Sequence, residues 1–159
     1  MSLDDWILAL HLLSAFALAG AMTMLWVAVL VLRGSDTPAA AATVAPVVRT
    51  ANVAVVVGIL GTVVFGLWLA ISLDAYHPWD GWVIAGLVLW AIGTETGRRG
   101  GAELDRAAAR AVELERAGQS GPSAELAAAY RSGKGLALHA ASSLAVVLVL
   151  LDMIWKPGA

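Results

Sequence analysis

Apolar residues fall along this 159-residue chain in four long blocks separated by polar connections. A hydrocarbon core of about 30 Å takes roughly 20 helical residues to cross, so each block can be tested by length. Trp6 to Leu32 holds one ionisable residue, His11, and Val53 to Leu73 holds none. Trp82 to Thr94 is shorter and stops at Glu95, while Leu136 to Leu151 carries His139 and reaches spanning length through Asp152 to Trp155. No block shows the alternation of a barrel strand, and only helices and closed barrels satisfy their own backbone in lipid. The pattern predicts one all-α domain, a four-helix transmembrane bundle with spans at about 5–33, 47–73, 80–97 and 135–155 and a helical connection over 98–134.

Ser2 with Asp5 reads as a capping box that starts the first helix. Gly34-Ser35-Asp36 with Pro38 ends it, and Pro46 is the expected start of the second. Ala54, Gly58, Thr62, Gly66 and Ala70 recur every four residues and make one face without bulk, with Gly61 off that face; Ala137, Ala141 and Ala145 repeat the device. Membrane helices use small faces for close approach, either inside the bundle or against a second copy. In the third connection Glu103/Arg106 and Glu113/Arg116 are spaced for ion pairs, and Gly118 to Pro122 breaks the helix. Trp6, Trp68, Trp79, Trp82 and Trp155 map near one interface and Trp26 near the other, as an aromatic belt.

Composition supports the membrane reading: 60% hydrophobic residues, 14% charged and a mean hydropathy of +0.80 lie outside the soluble class. With no cysteine there is no disulfide, thiolate metal site or iron–sulfur cluster. Of ten basic residues, all but Lys156 lie in the first and third connections, so the positive-inside rule puts those connections in the cytoplasm and both termini outside. Asp4 and Asp5 stand where a cleavable signal would carry basic residues, and the first span is expected to be retained. Acidic and basic residues alternate in the third connection, which argues against nucleic acid and leaves the lipid bilayer as the first expected partner.

Ionisable groups inside a span are costly and single out His11, Glu95, His139 and Asp152. Arg99 and Lys156, each four residues on, offer ion pairs to Glu95 and Asp152. His11 and His139 have no such partner and are followed by small residues at i+3 and i+4, which leaves room for a neighbouring helix or for a flat ligand such as haem b, whose iron takes neutral imidazole. Their depths differ by on the order of 15 Å, too far to share one metal ion in a monomer. Near the outer side, His11, Asp74, His77 and Asp152 resemble a loose nitrogen–oxygen site for copper or zinc, with His11, His77 and Asp152 as its candidate ligands.

Leu10-His11-Leu12-Leu13-Ser14-Ala15 through Gly20, and Met153-Ile154-Trp155-Lys156-Pro157, resemble an uncharacterised bacterial family of four-helix membrane proteins. That family is similar in layout to the copper-resistance D-like group and, more distantly, to the protoporphyrinogen oxidase HemJ. Trp155 stands where Phe is expected before Lys-Pro, and no intramembrane Lys of the HemJ kind is present. The resemblance implies a multi-pass protein of the bacterial inner membrane and carries over His11 alone as a haem ligand. Two functions follow as expectations: a redox or metal-handling protein binding b-type haem through His11 and His139, or a non-catalytic accessory subunit whose small faces dock to a second copy or a larger membrane complex.

Overall fold

The computed structural model describes residues 2–72 and 77–157. Among them are five helices and no strand: α1 (Leu3–Arg33), α2 (Pro38–Ser72), α3 (Gly81–Arg116), α4 (Ala124–Tyr130) and α5 (Gly133–Trp155). The chain is all-α. Three stretches are long and apolar enough to cross a membrane: α1, α2 and Ala124–Trp155. α3 has the length, about 54 Å at the helical rise, but its apolar part gives way to Glu95, Arg98 and Arg99.

The start of α1 is fixed as its sequence suggests, by reciprocal bonds between Ser2 and Asp5 at 2.7 and 3.2 Å. α2 begins two turns before the expected Pro46. Pro38 occupies the first turn, where a missing N–H costs nothing. The alanines that follow are strong helix formers, and burial of Ala41 and Val44 compensates for the bond Pro46 cannot make.

Packing is pairwise, α1 against α2 and α3 against α5. At the first interface an added Cβ on Gly58 would lie 2.8–2.9 Å from Leu18 and Ser14, and one on Gly66 would lie 2.9 Å from the His11 ring. Gly61, expected off this face, belongs to it: a Cβ there would collide with the Ser14 hydroxyl. A crossing helix meets ridges at both i+3 and i+4, so the contact face is wider than a strict four-residue stripe. At the second interface Gly93 meets Ala145 and its carbonyl accepts a hydrogen bond from Ser142 Oγ at 3.0 Å, while Gly97 faces the same hydroxyl. Ala137 and Ala141 are exposed, so of the expected α5 stripe only Ala145 is used.

Two apolar clusters join the hairpins at opposite ends. Ala70, Trp82 and Val83 gather with Leu67 and Met153 at one. At the other, Ala28 and Leu32 of α1 and Ala41 and Val44 of α2 pack with Ala107, Ala111 and Leu114 of α3 around Leu126 and Tyr130 of α4. Leu126 is fully buried, and the 98–134 connection is therefore a clasp over the α1–α2 turn. Its hydrogen bonds include Ser123 N to Asp36 O at 2.8 Å and Arg131 Nε to Arg33 O at 3.3 Å. Glu103/Arg106 forms as expected at 3.1 Å, whereas Glu113 pairs with Arg110, which also holds Glu125.

Candidate functional site

The space left between the two hairpins is a cavity of about 520 Å³ with walls from α1, α2, α3 and α5 and a rim at the clasp carrying Arg33, Tyr130 and Ser132. Its volume is within the roughly 300–1,000 Å³ range of small-ligand sites. The lining is mainly aliphatic. Four buried polar atoms on residues of this lining have no hydrogen-bond partner: Thr62 Oγ1, Trp90 Nε1, Tyr130 OH and His139 Nε2. An unmatched buried polar group costs about 1–3 kcal/mol; the four are spread along the cavity, Thr62 at the level of His11 and Tyr130 in the end cluster with Leu32, so each calls for its own partner.

His139 is placed by α5 against α1. Its ring meets Trp26 edge-on, with centroids 4.6 Å apart, and Trp26 Nε1 donates to Ser143 Oγ at 2.9 Å. Ser143 in turn bonds the His139 carbonyl at 2.9 Å. Trp26 thus orients an imidazole. Trp82, also expected in the belt, is buried at 6% exposure with Lys156 Nζ 5.5 Å from its ring centroid, whereas Trp6, Trp68, Trp79 and Trp155 are exposed.

His11 lies outside the cavity lining. Its Nδ1 is 3.0 Å from the Thr62 carbonyl, a contact that requires the proton on Nδ1 and leaves the Nε2 lone pair unused in the neutral ring. His139 neighbours Trp26, fifteen positions beyond His11 on α1, which puts the two imidazoles about 22 Å apart along that helix. One iron cannot take both.

No protein-family model, curated protein or solved structure matches this chain. What the site does is read from its own geometry.

The other candidates are dispersed. His77 donates its backbone N–H to Asp80 at 2.8 Å and lies against Trp79. Asp152 has a buried, unpartnered Oδ2 that an added Cβ on Gly86 would approach at 3.2 Å. Among the described residues no three His, Asp or Glu side chains gather as a metal group, and Asp74 lies outside those residues. Glu95 is held by Arg98 at 2.8 Å and Arg99 at 2.6 Å, the interfacial ion pairing its spacing suggests.

Thr62, Trp90 and Tyr130 are site residues that the sequence reading missed. Trp90 carried a signal: of seven tryptophans it is the one in mid-block, away from both interfaces. Tyr130 carried none, because its place depends on α4 folding back under the hairpins. A tyrosine phenol, whose ordinary pKa is about 10, is a protonated donor at neutral pH.

Proposed function

We propose that this chain is a four-span protein of the bacterial inner membrane, with both termini outside, that holds b-type haem between its hairpins with His139 as the axial ligand. The observation that carries the reading is the buried, unpartnered Nε2 of His139 on a residue lining a cavity of about 520 Å³. An apolar macrocycle suits the aliphatic walls. The Arg33 guanidinium at the rim donates to the Ser132 carbonyl at 3.4 Å and forms no ion pair among the described residues, which leaves its charge for a carboxylate such as a propionate. Haem held by one imidazole supplies one-electron redox chemistry. Trp26 and Ser143 fix the helix and ring that present it, and His11 serves as the hydrogen bond between α1 and α2.

The test is the visible absorption spectrum of protein purified after expression with ample haem. A Soret band is expected in wild type and His11→Ala, and its loss in folded His139→Ala. A colourless wild type would reject haem binding and favour the accessory-subunit reading.

A further inference from the structure

A second apolar recess, of about 560 Å³, lies on the outer side of the α2–α3 contact. On its α2 wall Ala41, Val44, Ala45 and Val48 precede Arg49 and Asn52, and Val53, Val56 and Val57 follow them. Ala41 and Val44 are buried in the end cluster, and from Arg49 onward the face runs from polar to apolar over about 12 Å to Val57. Ala108 and Leu104 form the facing wall on α3. Val53, Val56 and Val57 are each more than half exposed, so this wall is uncovered by the chain itself.

Charge separates the two ends further. Arg98, Arg99, Arg106, Arg110 and Lys134 are all engaged by carboxylates. Arg49 is exposed and forms no ion pair among the described residues. Asp105 is the one carboxylate lining the recess, and it makes no ion pair with Arg49 either, so the guanidinium donors stay available. An occupant matching this surface has an anionic head and an apolar tail lying along the helix axis. A basic residue at the cytoplasmic end of a recess between membrane helices is the arrangement that selects anionic headgroups.

We propose that the α2–α3 recess holds one anionic phospholipid, its phosphate against Arg49 and Asn52 and an acyl chain along Val53, Val56 and Val57. Assignment to the inner leaflet rests on the orientation proposed above and the site itself does not; Leu32, Val48, Asn52, Val56 and Tyr130 line both this recess and the cavity between the hairpins.

Native mass spectrometry of the full-length, detergent-purified chain tests this, with dioleoylphosphatidylglycerol, dioleoylphosphatidylcholine and inorganic phosphate titrated separately. One equivalent of phosphatidylglycerol is expected at about fivefold lower concentration than phosphatidylcholine, as for one basic residue near an anionic group. Inorganic phosphate alone is expected not to bind. Arg49→Gln, an exposed change that leaves the fold intact, should remove the preference, and Ala108→Leu should lower occupancy by both lipids. Full preference in Arg49→Gln, phosphate binding equal to that of the lipid, or a dimer that excludes lipid would each overturn the proposal. Should Ala108→Leu fail to fold, Arg49→Gln decides alone. An incorrect orientation would leave these titrations unchanged and appear only in the accessibility of terminal tags.

Discussion

At the scale of single residues, the same side-chain type has two roles according to what faces it. His11 has a carbonyl at 3.0 Å and a glycine under its ring, so it ties α1 to α2. Its replacement by Ala is expected to lower stability in detergent by about 1–2 kcal/mol, read from thermal unfolding, without affecting a chromophore. His139→Ala should do the reverse, removing a Soret band with a smaller change in stability. Glycines divide in the same way. Gly58→Leu and Gly61→Leu should both disrupt the α1–α2 pair, whereas Gly20→Leu should be tolerated because a side chain there meets nothing within 4 Å. A stable Gly61→Leu protein would count against the interface. Gly61 was misplaced in the sequence reading because a single periodicity does not reveal the width of a crossing contact. His11 and His139 stood out because imidazoles are rare in apolar blocks; the hydroxyl and indole beside the cavity are common in helices, so their lack of partners appears only in three dimensions.

At the scale of elements, the clasp formed by the end of α3 and by α4 is the part whose solution behaviour the structure determines most directly. Leu126 is its buried anchor, and Leu126→Ala should cost about 2–5 kcal/mol, with faster amide exchange in α4 as the readout. Ion pairs add a pH dependence. Hydrogen bonds from Lys134 to Glu103 and from Arg110 to Glu125 hold both carboxyls below their ordinary value of 4.5. Groups depressed by folding stabilise the folded form above the unfolded pKa and lose that contribution as pH falls through the folded pKa. Protection of the α4 amides, exchange rates being compared with their intrinsic rates at each pH, should therefore be high at neutral pH and fall as the pH drops below 4.5, and Glu125→Gln should flatten that profile. The helical character of this connection, its break at Gly118 and the Glu103/Arg106 pair were legible from spacing alone. Its return beneath the α1–α2 turn was not, because it depends on Leu126 meeting residues almost a hundred positions away. The early start of α2 was hidden for a related reason, since Pro46 reads as a helix start and only tertiary burial of Ala41 and Val44 carries the helix ahead of it.

For the whole molecule, the charge asymmetry supports the proposed orientation, under which tags at either terminus should be reached from outside intact cells and one beside Gln119 should not. The reverse pattern would invert the proposed topology. The hairpin architecture has a consequence for assembly as well. Each hairpin completes its principal interface with its own helices, and between the two end clusters the hairpins meet through Trp26 with His139 and Ser143 beside the cavity. Severing the connection between α2 and α3 removes neither principal interface. Residues 1–76 and 77–159, made as separate polypeptides in one cell, should accordingly find each other and co-purify, with Leu126→Ala in the second fragment weakening their reunion by removing the anchor of the clasp.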